Sequence, residues 1–205
     1  MAQPLSYQAV LRHLVDHGVI PDTAESDMRR GARWTEPSGL AYSLWLDKDS
    51  SGGLALSLNT GDAKLGALLA ETSGFAVPIR PDVDPIVGWP TRSSAADLAE
   101  LVERAREATA FIADRTDLCN VMMQLGYVER GRWHAQTLLG NYPNRLVKAI
   151  LLAEDLHNEA LAQEVRRRIH AGPEFNSNGI EVDILASAKR WASTFGKALG
   201  RAIDV

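Results

Sequence analysis

The sequence predicts an α+β fold in which strands come first and helices follow. Residues 39–61 alternate apolar and polar side chains on both sides of a Gly/Ser/Asp turn. A proline-rich stretch, residues 74–92, comes next, and nearly every later segment has the helical period. We therefore expect a single domain, residues 1–205, with a strand-rich part (1–92) and a helical part (93–205).

The stretch 39–61 predicts an antiparallel β-hairpin, because a period of two runs on both flanks of a turn. One face of this hairpin is expected to be buried: Leu40, Tyr42, Leu44, Leu46, Leu54, Leu56 and Leu58. A short strand at 33–35 is expected to pair with it. The result is an antiparallel β-sheet, about residues 30–90, packed on helices. The prolines of 74–92 favour an extended crossing segment with an edge strand.

Helical periodicity and capping residues place the helices. Ser6 can cap a first helix that ends near His17, and Ser94 can cap the most regular helix of the chain, about 95–113. Further helices are expected at 62–71, 117–125, 132–139, 144–156, 158–171 and 182–202. The C-terminal half is therefore predicted to be all-helical.

Composition excludes several classes of function. The formal charge of −4 gives the chain no electrostatic reason to bind nucleic acid or acidic lipid. No run of eighteen apolar residues occurs, and the N-terminus lacks the pattern of a signal peptide. Cys119 is alone, so it has no intramolecular disulfide partner. These features predict a cytoplasmic protein that uses neither nucleic acid nor a membrane.

Three partial motifs fail at the residues their chemistry needs. Asp47–Gly52 resembles the opening of a calcium loop, but Leu58 stands where a bidentate glutamate would bind. Gly61–Gly66 has the glycine spacing of a phosphate loop but lacks its lysine. His13 and His17 share a helix face without a recognisable third zinc ligand. No metal site and no cofactor are predicted.

Few side chains qualify as a reactive centre. His134 is the best candidate for an acid/base group, with Glu129 or Glu154 as its carboxylate partner. Cys119 is expected to be a small buried residue rather than a nucleophile. The run 166–168 contains three arginines, for which an ion-paired, solvated face is expected.

The last helix is basic along its whole length. It carries Lys189, Arg190, Lys197 and Arg201, and no acid occurs between Asp183 and Asp204. We expect its apolar stripe to dock on the rest of the domain, and contact with a partner's groove is the alternative.

The tryptophans indicate a contact surface. Trp45 alternates with the leucines of the hairpin, so it points away from the buried face. An aromatic residue exposed on a sheet commonly anchors a protein interface, although a covering helix explains the position equally well. The candidate interaction residues are Trp45, Trp34, Trp133 and Arg132.

The leading functional hypothesis is a non-enzymatic cytosolic protein-interaction module whose partner is another protein. Toxin-neutralising immunity proteins and phage-type inhibitors are examples of this class. It is favoured because no catalytic motif is assembled, while aromatic residues are plentiful. The alternatives are a hydrolase or transferase centred on His134, and a helical adaptor that binds a peptide.

Overall fold

The computed structural model describes residues 6–27, 30–48, 54–72, 86–90, 97–175 and 179–205, with the backbone alone at 27, 70–72 and 86–90. These residues form an α+β fold, as predicted. Its elements are α1 (Tyr7–Asp16), β1 (Glu25–Asp27), β2 (Gly31–Thr35), β3 (Leu40–Lys48), β4 (Leu54–Asp62), α2 (Ala63–Thr72), β5 (Ile86–Pro90), α3 (Leu98–Thr109), α4 (Arg115–Met122), β6 (Gly126–Arg130), β7 (Trp133–Thr137), α5 (Tyr142–Asp155), α6 (Glu159–Ile169), β8 (Glu174–Phe175), β9 (Glu181–Val182) and α7 (Ile184–Leu199).

The main sheet is antiparallel throughout and has seven strands within the described ranges, in the order β1-β2-β3-β4-β5-β7-β6. The predicted hairpin is confirmed as β3 and β4, which pair Leu44 with Leu58 and Trp45 with Ser57. The strand predicted at 33–35 is confirmed as part of β2. Alternation of side chains along these strands separates a buried face from a half-exposed one.

One predicted helix is wrong, because residues 132–139 contain β7 instead. Together with β6, this strand forms a hairpin across Gly131, whose φ is 61°. A glycine at positive φ is what a two-residue hairpin turn requires. Bulky aromatic and β-branched residues stand on either side of it, and these favour a pleated strand over a helix. The C-terminal half is therefore mostly helical rather than all-helical.

The strand expected at the edge of the sheet is also placed differently. β5 lies inside the sheet, between β4 and β7. Its proline, Pro90, is the last residue of the strand, where the missing N–H interrupts no further ladder. The rest of the predicted crossing segment, residues 74–85 and 91–92, lies outside the described residues.

Helix α3 crosses the buried face of the sheet. The Tyr42 hydroxyl donates to the carbonyl of Thr109 (3.3 Å), and the Trp133 indole N–H donates to Glu107 (3.3 Å). The carboxylate of Asp97 caps the helix by accepting the Glu100 N–H at 2.7 Å. Ser94, the predicted cap, lies outside the described residues. This helix thus bridges strands that are distant in sequence, β3 and β7.

Helices α2, α4, α6 and α7 pack around α5, whose apolar residues belong to the same core as the sheet, and α1 packs on α3. The predicted α1 cap is confirmed, since the Ser6 hydroxyl accepts the Ala9 N–H. The three arginines 166–168 form ion pairs, as expected, with Glu154, Glu159, Glu164 and Asp204. Among the described residues, none of the helices combines the length and the apolar character needed to cross a membrane.

Candidate interaction surface

The sheet has one face that turns away from α3, and we call it the outer face. Strict alternation along the strands places on it Gly31 and Arg33 of β2, Ala41, Ser43 and Trp45 of β3, Ser57 and Asn59 of β4, His134 and Gln136 of β7, and Tyr127 and Glu129 of β6. Most of its side chains are half-buried or exposed, in contrast to the buried leucines on the other side of the same strands.

Trp45 occupies the centre of the β2 to β4 part of the outer face. A Cβ atom at Gly31 would meet the indole Cδ2 at 3.3 Å, so the ring lies across this glycine. The indole N–H donates to the Ser43 hydroxyl at 3.0 Å. The ring is therefore held in one orientation while it stays half-buried.

The strand register aligns the candidate residues across the sheet. Trp45 lies opposite Ser57, and His134 lies opposite Trp89 on one side and Glu129 on the other. The β4–β5 register, continued by one residue from Leu58 and Gly88, sets Ser57 opposite Trp89. Trp45 and His134 thus share a transverse row, roughly 14 Å apart at about 4.8 Å per strand.

The predicted acid/base pair is brought together on this face. Directly opposed residues of an antiparallel pair have Cβ atoms about 5 Å apart, and His134 and Glu129 are such a pair. The Tyr127 ring meets the His134 ring edge-on, with centroids 5.4 Å apart. Glu154, the other carboxylate considered, is on α5 and pairs with Arg166 and Arg201 instead.

His134 is half-buried on the outer face, and Glu129 beside it is exposed. Within the described part of the chain, no hydrogen bond or ion pair joins it to Glu129. Three concave sites are lined by described residues, and neither His134 nor Glu129 lines any of these three. An enzyme generally encloses its reacting groups, because exclusion of water strengthens their electrostatics. None of these three concave sites therefore encloses the pair.

The other predicted interaction residues lie elsewhere. Trp34 is 7% exposed and stacks on Tyr42 with ring centroids 5.1 Å apart. Trp133 is 2% exposed and faces α3. Arg132, in the β6–β7 turn, pairs with Glu107 at 2.8 Å. Trp34 and Trp133 are thus core residues, which leaves Trp45 as the predicted aromatic that lies on the outer face.

An ion-pair cluster around the buried Asp62 was missed by the sequence reasoning. Arg115 of α4 joins Asp62, at the end of β4, to Asp155, at the end of α5, and Lys64 also pairs with Asp155. Burial alone would raise the pKa of Asp155, but the hydrogen bonds from Lys64 and Arg115 outweigh it and lower that pKa. Burial alone would lower the pKa of the Arg115 guanidinium, but its hydrogen bonds to Asp62 and Asp155 outweigh burial and raise that pKa.

This cluster ties the sheet to the helices rather than forming a reactive site. Asp62 is fully buried, and its second oxygen accepts the N–H of Leu65 at 2.7 Å, which caps α2. A sequence signal for the cap existed, since an aspartate before an apolar helix start is a common N-cap. The arginine partner is 53 residues away, and no local pattern connects the two.

The remaining candidates from the sequence are Cys119, the histidine pair of α1 and the calcium-like stretch. Cys119 is buried, and this burial raises the pKa of its thiol to about 12, so it is a structural residue. The rings of His13 and His17 lie tilted against each other, with centroids 4.0 Å apart. No group of three or more potential metal ligands occurs in the described ranges. The stretch Asp47–Gly52, whose resemblance to a calcium loop was incomplete, lies outside them beyond Lys48.

A scan against protein-family models, a search of curated proteins and a search of solved structures all found no match to this chain.

Proposed function

We propose that this chain is a non-enzymatic, cytosolic protein-interaction module that binds another protein through the outer face of its sheet. The observation that supports this most directly is the position of Trp45, which is half-buried and fixed across Gly31 on a face turned away from α3. A toxin-neutralising immunity protein or a phage-type inhibitor acts in this way, by covering a surface of its target.

The side chain of Trp45 is suited to binding because it is already ordered in the free protein. Aromatic side chains dominate the energy of many interfaces, and binding costs less when they are ordered beforehand. The indole of Trp45 has already lost its rotational freedom through Ser43 and Gly31. Tyr127, 62% exposed at the far edge of the outer face, offers a second aromatic contact.

Mutation of Trp45 tests the proposal. A tagged protein would be crosslinked in its native cell to identify the partner, and the affinity of the purified pair would then be measured. Trp45→Ala is expected to weaken binding by about thirtyfold, because truncating an aromatic anchor commonly costs at least about 2 kcal/mol. Phe175→Ala is the matched control, since this aromatic is 61% exposed but lies on β8, outside the outer face.

Equal affinities for both variants and the unmodified protein would reject the outer face as the binding surface. Circular dichroism of each variant, recorded beside the binding data, distinguishes loss of contact from loss of fold.

A second candidate is a hydrolase or transferase, and the cross-strand pairing of His134 with Glu129 is the observation that favours it. Under this alternative, His134→Ala and Glu129→Gln each abolish a turnover that the unmodified protein shows on ester, amide or phosphoester substrates. Under the interaction hypothesis, the unmodified protein shows no such turnover above that of His134→Ala.

A further inference from the structure

A groove of about 590 Å³ lies between α7 and the residues that follow it, and we call it the tail groove. Lys189, Lys197 and Arg201 line it, with the small residues Ala192 and Gly196 between them and Ile203 from the following segment. A Cβ atom at position 196 would meet the Arg201 carbonyl oxygen at 2.6 Å. The glycine thus lets the chain turn back closely over the helix and form the groove.

The tail groove has an excess of positive charge. None of its lining residues is acidic, and residues 184–203 contain no aspartate or glutamate. Arg201 pairs with Glu154 at 2.7 Å, but Lys189 and Lys197 are exposed and pair with no carboxylate of the described residues. This contrasts with the three arginines 166–168, whose charges are matched by neighbouring acids. Two ammonium groups therefore remain for an external anion.

The spacing of the two lysines suits an extended chain. They are eight residues apart on α7, which corresponds to about 12 Å along the helix axis. An extended peptide covers that distance in about four residues, at about 3.3 Å each. Side chains four positions apart in such a peptide lie on the same side, so two carboxylates at that spacing can reach both ammonium groups.

A second concavity adjoins the tail groove at Arg201. It has a volume of about 370 Å³ and lies between α2 and α5. Leu65, Leu68 and Leu151 line it together with charged residues, and its two carboxylates, Glu154 and Asp155, are already held in ion pairs with lysine and arginine side chains. Leu68 is 42% exposed there. Such a cavity can bury one aliphatic side chain at the end of a peptide that follows the tail groove.

We propose that the tail groove binds an acidic, extended peptide segment of a partner protein, with an apolar residue of that segment in the adjoining Leu68 cavity. Charge complementarity selects this occupant over a basic or neutral one. The concave shape and the leucines of the adjoining cavity favour a peptide over a membrane surface or a nucleic acid. The inference does not depend on the outer face, which lies on β2 to β7 and shares no residue with the tail groove.

The test uses fluorescence anisotropy with a labelled peptide that carries two glutamates four positions apart and a leucine beyond them. Saturable binding is expected, and it should weaken as salt is raised, because the lysines are exposed. Lys189→Glu combined with Lys197→Glu is expected to weaken binding by at least about tenfold, since two attractions become repulsions. Leu68→Ser is expected to weaken it severalfold without changing the salt dependence.

The matched control is Arg190→Glu combined with Arg12→Glu, which makes the same change in net charge at exposed positions outside the tail groove. This variant should bind the peptide within about twofold of the unmodified protein, because neither Arg190 nor Arg12 lines the tail groove and exposed charges without a direct contact contribute little. Equal weakening in the two double variants would overturn the site, as would the absence of saturable binding. Tighter binding of an oligothymidine strand or of vesicles with anionic lipid would overturn the choice of a peptide.

Discussion

The two faces of the sheet share the same strands and the same backbone hydrogen bonds, but they differ in almost every other respect. On the side of α3, Leu44 and Leu58 are opposite each other and buried. One residue further along each strand, Trp45 and Ser57 form a half-exposed pair on the outer face. Since adjacent residues of a strand point to opposite sides, a single step along the chain separates a stabilising position from a binding position.

The outer face can be rigid without being buried, because it shares its strands with the buried face. The leucines hold the strands in register through burial, while the outer side chains contribute little to that register. Truncation of side chains on the outer face should therefore leave the fold intact, and truncation on the buried face should not. The following predictions test this division, from the largest expected effect to the smallest.

Leu44→Ala should lower the free energy of unfolding by about 3 kcal/mol, because it removes a fully buried side chain and leaves a cavity. Ser57→Ala, on the other face of the same hairpin, should change it by less than about 0.5 kcal/mol. Urea denaturation followed by circular dichroism measures both. Similar losses in the two variants would show that the outer face is as important for stability as the buried one.

Gly31→Ala should lower the free energy of unfolding by about 2 kcal/mol, because the new Cβ would meet the Leu44 carbonyl oxygen at 2.5 Å and the Trp45 ring at 3.3 Å. The matched control is Gly140→Ala, where a Cβ meets nothing within 4 Å. Differential scanning calorimetry compares the two. A stability of Gly31→Ala equal to that of the control would contradict the close packing of the indole on β2.

Arg130→Gln should produce a smaller, pH-dependent loss at the rim of the buried face. Hydrogen bonds from Arg130, one of them 2.7 Å long, hold the pKa of the Asp117 carboxyl below its usual range, although burial opposes them. A carboxyl whose pKa is lowered by folding stabilises the folded state. This stabilisation is fully present at pH values above the pKa of the unfolded chain, about 3.9, and it is lost as the pH falls through the pKa of the folded state. The loss should be at most about 1 kcal/mol near neutral pH, because the pair is partly exposed.

Urea titrations of Arg130→Gln and of the unmodified protein between neutral and acidic pH measure this difference. It should shrink as the pH falls below about 4, as the carboxyl becomes protonated in both proteins. Arg190→Gln is the control, since Arg190 bonds the uncharged Ser187 hydroxyl and its loss should not vary with pH. A pH-independent difference for Arg130→Gln would show that its bond to the Phe111 carbonyl dominates instead.

The segments predicted correctly are those whose signals are local. The hairpin β3–β4 alternates over nine-residue strands, and α1 has both its cap, Ser6, and its stop, Gly18. The hairpin β6–β7 was missed although Gly131 stood between strand-forming residues. Its strands have only five residues each, and over so short a run a period of two is easily mistaken for a helical one.

The candidate site was predicted only in part, for a related reason. Alternation with leucines fixed the direction of Trp45, and this required no knowledge of the rest of the chain. The sequence predicts Trp34 and Trp133 as interaction residues, but Tyr42 stacks on Trp34 and α3 covers Trp133. Their partners are distant in sequence or belong to another element, so burial of these rings could not be read from their neighbours along the chain.

The sequence by itself therefore determined the fold class, the central hairpin and the face to which each of its side chains points, because these depend on the backbone period and on turn chemistry. Tertiary structure alone decided that Trp34 and Trp133 would be buried, that Glu129 would face His134, and that Arg115 would join Asp62 to Asp155. Those pairings arise when separate elements pack, and the packing depends on the whole core rather than on any single stretch of residues.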